Sequence, residues 1–465
     1  MSNKPGLLAF ALTTAILGGC AVGPDYHKPA VEVPAAFKEA GNWKPAEPKE
    51  LTNRGHWWEI YRDPELNALV SQVEVSNQNV RAAEAQYRQA LALLGTARAA
   101  YYPTLGTALS ATRGNGAAGT TGSATIDRLS LSASWEADVW GGIRRKVESG
   151  QATAEASAAD LGAALLSAQA TLVQSYLQLR VTDAQKQLLE RNVEVYQRSL
   201  EITRNRYQAG VAARLDVTQA ETQLKSTQAQ AIDLEVARAQ LEHAIAILIG
   251  KPPSQLNIGI VSGLPALPDI PATVPSTLLE RRPDIAGAER RVAAANAGIG
   301  VAQAAFYPTL TLSGTGGFQN SSFDNLLTLP NRFWSLGPAL ALTLFDAGAR
   351  TAQKEQAVAA YDQSVATYRQ TVLGAFQDVE DNLAALRVLA EEAEVQEQAT
   401  KAAADSLEQA NNQYKAGTVS YLNVVTAEAS FLAADSSRLN IAGRRLLASV
   451  ALLKALGGNW RDTNL

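Results

Sequence analysis

Two periodicities alternate along this chain of 465 residues. In the run RLSLSASWEAD, Leu129, Leu131, Ala133, Trp135 and Ala137 fall on one side, with Arg128, Ser130, Ser132, Ser134 and Glu136 on the other. That is the period of a strand with one apolar face. The runs PTLTLSGTGGF after Tyr307 and WSLGPALALTLFD after Phe333 alternate likewise, and the second is expected to carry Leu340, Leu342 and Leu344 along one side. Such strands, about ten residues long, match the length that crosses an outer membrane at a tilt. Trp135, Trp140, Phe318 and Trp334 lie near the strand ends, where an interfacial aromatic girdle would sit. The same alternation also fits a half-buried sheet in a soluble protein.

Between the alternating runs the period changes to 3.5. Leu161, Leu165, Ala168, Leu172, Ser175 and Leu179 continue through Leu189, Val193, Tyr196, Leu200, Thr203 and Tyr207. A second series runs Val358, Tyr361, Val365, Tyr368, Val372, Ala375 and Val379, then on to Leu407, Ala410 and Tyr414. Heptads sustained this far predict coiled-coil packing. At 1.5 Å per residue, each helix of roughly 65 residues spans on the order of 100 Å. Gly210 and Gly417 stand where each long helix should end, glycine being the usual residue just past a helix C-terminus. The heptads resume beyond them, through Val217, Leu224 and Ala231 and through Val424, Phe431 and Ile441.

The two halves also repeat each other. RYQAGVAARLDVTQAE, starting at Arg206, returns as QYKAGTVSYLNVVTAE, starting at Gln413, and ARAAYYPTL returns as AQAAFYPTL. A tandem duplication accounts for both, and each repeated sentence is the tip of a helical hairpin. Pro252 to Pro275, with six of the chain's 18 prolines, reads as an extended linker between the halves.

Composition narrows the function classes. The net charge of −4 offers no basic field for nucleic acid. His27, His56 and His243 are scattered, so no metal-ligand spacing arises, and no catalytic constellation marks an enzyme. GNGAAG, from Gly114, fits the dinucleotide fingerprint, but TTGSATIDR follows it where a helix is required. No cofactor is expected beyond covalent lipid. The apolar run Leu7 to Leu17, after Lys4, suits a secretory signal. It ends in LGGC, and Cys20 is the chain's single cysteine. LGGC resembles a bacterial lipoprotein box, which implies acylation of Cys20; Ala21 after it favours the outer membrane.

Four strands cannot close a barrel in lipid, since the smallest have about eight and an open edge is not tolerated there. An oligomer sharing one barrel is therefore expected. With the lipobox, GPDYHKP, WWEIYRDPELNALV, LLERRPDIAGAERR and the two tip sentences, the mature chain resembles the TolC family, in particular its OprM-like, lipid-anchored branch. The resemblance implies a mixed fold, a membrane β-barrel continued by an all-α coiled-coil barrel, with four strands and long helical hairpins per protomer in a trimeric channel-tunnel. It divides the chain into a signal peptide (1–19), an anchored tail and equatorial segment (20–63), a first repeat (64–251), an equatorial linker (252–275), a second repeat (276–457) and an equatorial C-terminus (458–465). The implied partners are two further copies, outer-membrane lipid, a periplasmic adaptor and an inner-membrane pump of the resistance-nodulation-division type. The implied duty is drug or small-molecule efflux. A type I protein-secretion duct and a structural envelope lipoprotein are the alternatives.

Carried over residue by residue, the resemblance implies a tip closed by a hydrogen bond between Asp216 and Tyr414, and a periplasmic gate at Leu422, Asn423 and Thr426. Leu422 matches the apolar ring of OprM-like members, whereas Asn423 and Thr426 depart from the aspartates frequent there. Uncharged side chains at these positions imply weak cation selectivity. Apart from Met1 there is no methionine, so a thioether path for soft metals is not expected.

Overall fold

The computed structural model describes residues 21–40, 56–115, 123–268, 281–458 and 460. The signal segment, Cys20, the end of the Pro-rich linker and most of the GNGAAG loop lie outside these residues. The element order is α1 (Pro64–Ser76), α2 (Gln78–Ala99), β1 (Thr104–Asn115), β2 (Ser123–Ala137), α3 (Gly142–Gln208) and α4 (Arg214–Leu248), then α5 (Pro283–Ala304), β3 (Thr309–Asn320), β4 (Arg332–Ala341), α6 (Ala349–Lys415) and α7 (Tyr421–Ala455). From helix α2 onward the second half repeats the first. The long helices α3 and α6 have 67 residues each and the return helices α4 and α7 have 35 each.

The chain divides into two compact units. One contains the strands, the described residues up to Ala30, and the parts of the helices that adjoin the strands. Its sheet is antiparallel in the order β1-β2-β3-β4. The register puts Leu109 opposite Leu129, Leu129 opposite Phe318, and Gly316 opposite Trp334. One face is therefore apolar over its length from Leu105 through Leu131 and Leu312 to Leu336, with Arg113, Asp127 and Arg332 on it only towards the loop ends, and these four leucines are exposed in the single chain. The opposite face carries Ser130, Ser132, Ser134, Thr311, Ser313 and Thr315. Glycine shapes the apolar face as well: a Cβ on Gly314 would stand 3.3 Å from a Leu336 methyl, so the large β4 side chains lie over Gly314 and Gly316.

One sequence expectation is corrected here. Strand β4 stops at Ala341, so Leu342 and Leu344 lie in irregular chain rather than along its face. The segment must turn into α6 at Ala347 and Gly348, both at positive φ, and Arg350 ties it down by donating to the Thr343 carbonyl at 2.6 Å and to Asp346 at 2.6 Å. Alternation continued past the point where backbone pairing ended.

The second unit holds the remainder of the helices and the described part of the linker. Around the middle of α3, Leu172, Tyr176, Leu177 and Leu179 are fully buried. Asp63 caps α1 through the Glu65 and Leu66 amides and also accepts from Tyr176 (2.9 Å) and Arg180 (3.2 Å). Arg180 donates onward to the Gly263 carbonyl at 3.0 Å. A second arginine repeats the device: Arg238 bonds buried Asp183 at 2.8 Å and the Ile258 carbonyl at 2.6 Å. Extended chain lacks a hydrogen-bond ladder of its own, so these charge-assisted bonds hold it where packing alone would not. Trp460 lies on α3 at Gly162, whose missing Cβ would stand 2.5 Å from the indole nitrogen. Another close approach is Gly443 against Val181, where a Cβ would come to 2.9 Å.

Strand pairing gives a direct test. A Cβ on Gly317 would meet the Leu129 carbonyl oxygen and the backbone of Ser130, whereas Gly337 has nothing within 4 Å. Gly317→Ala is expected to block pairing of β2 with β3 and to abolish the heat-modifiable folded band in gel electrophoresis of outer membranes. Gly337→Ala should leave that band intact.

Candidate channel lining and tip

Both hairpin tips are built on the same backbone device. Gly210 and Gly417 have φ of +73° and +75°. At the first tip the Gly210 amide donates to Tyr207 and the Val211 amide to Arg206; at the second, Gly417 donates to Tyr414 and Thr418 to Gln413. These paired 5→2 and 6→1 bonds are the Schellman ending, which requires a left-handed residue at the position both glycines occupy. The identical spacing of the two sentences thus encodes an identical turn.

Side chains then separate the two tips. Tyr207 is 45 % exposed, while its repeat counterpart Tyr414 is 8 % exposed. Tyr414 packs against Tyr421, ring centroids 5.3 Å apart, and lies under Arg206, whose guanidinium carbon is 4.4 Å from the ring centre. Arg206 also donates to the Tyr414 carbonyl at 3.2 Å, and Ser199 and Tyr421 share a hydrogen bond of 2.9 Å. These contacts lock α3 against the turn between α6 and α7. The corresponding glutamates diverge as well. Glu221 is exposed and pairs with Arg204 at 3.6 Å, whereas Glu428 is 3 % exposed, and its Oε2 has no hydrogen-bond partner among the described residues. Burial pushes the Glu428 carboxyl up to about 7.

Among the residues assigned to closure, Asp216 and Tyr414 are not joined within the chain. Asp216 folds back to accept from the Ala213 amide at 3.2 Å, capping α4, and the buried Tyr414 hydroxyl has no partner among the described residues. Leu422 is 52 % exposed, and Asn423 and Thr426 are exposed beside it on the first turns of α7, while Tyr421, Val424 and Ala427 are buried. Leu422 therefore does not pack into its own hairpin. The stretch of sequence could not separate these two placements, because its heptad phase fits either; burial of Tyr421 decides it. Spacing alone does not announce the Arg206–Tyr414 stack or the buried Glu428, since the tyrosine and glutamate that the two copies share carry no record of which copy faces inward. Arg206 where the second copy has Gln413, and Arg214 where it has Tyr421, are the divergences that bear on this contact.

The segment after Cys20 is fixed to the strand-bearing unit. Val22 donates to the Trp140 carbonyl at 3.0 Å, just beyond β2. Arg145, its side chain 5 % exposed, binds Asp25 at 2.9 Å and the carbonyls of Val22 and Gly23 at 3.3 Å. Gly23, at φ +98°, presses on the backbone of Gly300, where a Cβ would collide. Tyr26 donates to Glu289, and burial raises its hydroxyl pKa far above the ordinary phenol range. GPDY is thus a docking sequence, held through Gly23, Asp25 and Tyr26 and through the Pro24 carbonyl, which accepts from Asn296 at 3.0 Å.

No group of three or more His, Cys, Asp or Glu side chains among the described residues is placed to hold a metal. What the described geometry offers is a lipid-length sheet with one apolar and one polar face, joined to long helical hairpins. The family model for outer membrane efflux proteins matches residues 69–251 and 274–458. The chain belongs to that family. It is 30 % identical over 98 % of its length to the probable efflux pump outer membrane protein TtgC of Pseudomonas putida, covering 96 % of that protein. It is equally similar to the cation efflux system protein CusC of Escherichia coli, at 30 % identity over 98 % of this chain and 99 % of the other. The solved outer-membrane channel OprN superposes with a TM-score of 0.88 at 32 % identity, covering 94 % of this chain and 99 % of that one. This efflux protein therefore resides in the outer membrane and serves as an exit channel, with the TolC-like fold of its relatives.

Buried Glu428 makes the tip pH-sensitive. A carboxyl whose folded pKa exceeds its unfolded value of 4.5 binds its proton more tightly when folded. Stability is then greatest below about pH 4.5, falls as the pH rises towards 7, and stays at the lower level above that. Glu428→Gln is expected to raise the melting temperature of the helical circular-dichroism signal at pH 8, by the equivalent of at most ~3 kcal/mol. At pH 4 the two proteins should melt together.

Proposed function

We propose that three copies of this chain share one barrel and form the passive outer-membrane duct of a tripartite efflux system. The observation that carries this reading is the sheet itself. Strands β1 and β4 are its outer members, and each has one edge without a partner among the described residues, which the hydrocarbon would not tolerate. Two copies would give a barrel of eight strands, whose interior side chains fill. Three copies give twelve and leave a lumen. The polar face of Ser130, Thr311 and Ser313 would line that lumen, and the apolar face with Trp334 and Leu336 would meet lipid. Acylation of Cys20 would add a second hold on the membrane, and Val22, docked beside Trp140, would keep that anchor next to the end of β2.

The small-molecule cargo would be handed on by a periplasmic adaptor and an inner-membrane pump of the resistance-nodulation-division type, as the tripartite role implies. In the resting state three Leu422 side chains would exclude water at the tip, with Asn423 and Thr426 adding no charge. Native mass spectrometry of the detergent-purified protein is expected to give three chains, and a monomer or dimer would reject the shared barrel. In planar bilayers Leu422→Ser should raise single-channel conductance several-fold, and Thr426→Asp should add cation selectivity through a ring of carboxylates. Currents unchanged in both variants would place the constriction elsewhere.

A further inference from the structure

The polar face of the sheet is almost free of charge. Following the register across all four strands, its only ionisable side chains are Arg128 and Glu136 on β2, at opposite ends. Glu136 adjoins the helices; Arg128 lies towards the loops that join β1 to β2 and β3 to β4. Arg128 is paired with Ser110 on one side and Gln319 on the other. Its guanidinium carbon sits 4.3 Å from the centre of the Phe333 ring on β4, so its side chain reaches across β3. A cation over an aromatic face is held in place without losing its charge. No acidic side chain among the described residues is ion-paired with Arg128, and the sequence from Gly114 to Ile126 contains no acid at all. The acids near this end are Asp127, which by alternation belongs to the apolar face, and Asp324 in the loop before β4.

We propose that Arg128 is a specificity-determining residue that selects for anionic solutes at the outer mouth of the channel. The proposal rests on the trimer reading: with three copies, the Phe333-supported guanidinium groups form a ring on a wall whose other side chains, apart from Glu136 at the far end, are uncharged. Such a ring raises the local concentration of anions and opposes cations. Since the gate residues Asn423 and Thr426 carry no charge, charge selection occurs at the exit rather than at the tip. Solutes bearing a carboxylate, sulfate or phosphate group are the class it favours, and organic cations the class it delays.

Ser110, directly opposite Arg128, provides a test that does not depend on opening the gate. In a Cys20→Ser background, Ser110→Cys is the sole thiol. Anionic and cationic methanethiosulfonate reagents of similar size are added from the outer side, and the ratio of their reaction rates is measured with Arg128 present and with Arg128→Gln. The anionic-to-cationic ratio is expected to fall several-fold in Arg128→Gln at 0.1 M salt. The difference should shrink at 1 M, where screening shortens from about 10 Å to about 3 Å. The mass of the same sample is determined first. A monomer overturns the shared barrel and the ring together; a trimer whose ratio is indifferent to Arg128→Gln overturns the ring alone.

Discussion

A sheet of four strands has two edges, and lipid accepts neither. Everything characteristic of this chain follows from that constraint. Residues on the apolar face, such as Leu105, Leu131 and Leu336, are exposed in the single chain because their environment is hydrocarbon rather than a protein core. The alternation that would mark a half-buried strand in a soluble protein here separates lipid from lumen. Gly317 shows how closely the sheet is built: its pairing with β2 leaves no room for a methyl group.

Duplication supplied two hairpins, and burial made them unequal. Backbone geometry is conserved between the tips to within two degrees of φ at the glycine. The tyrosine and glutamate of the second copy have moved into the interior, and Arg206 of the first copy crosses over to hold Tyr414. One tip therefore supports the other. A glutamate that is an ordinary surface ion-pair member at Glu221 becomes, at Glu428, a buried carboxyl with no countercharge among the described residues, so the same residue type costs stability in one copy and is nearly neutral in the other.

Much of the architecture was legible because it is periodic. Strand faces, long heptads and the tip glycines all follow from spacing that one chain displays by itself. The end of β4 was not, because Leu342 and Leu344 keep the alternation after Asp346 and Arg350 have turned the backbone away from the sheet. The arginine clamps were also hidden. Arg180 reaches Asp63 and Gly263, and Arg238 reaches Asp183 and Ile258; sequence distance carries no sign of such pairings. Within the single chain Asp216 caps the N-terminus of its own helix, as a carboxylate three residues into a helix can.

Charge placement along the conduit follows from the same geometry. A barrel wall must offer polar groups to water, and hydroxyls do this without attracting or repelling ions. On such a wall a single fixed cation per chain dominates the field, because no neighbouring charge cancels it and low-dielectric walls confine its field lines. Arg128 stands at that position because Phe333 supports it from β4, across β3. The selectivity of the exit is therefore a consequence of strand register: slipping β3 by one residue against β4 would move Phe333 to the lipid side and leave the guanidinium unsupported.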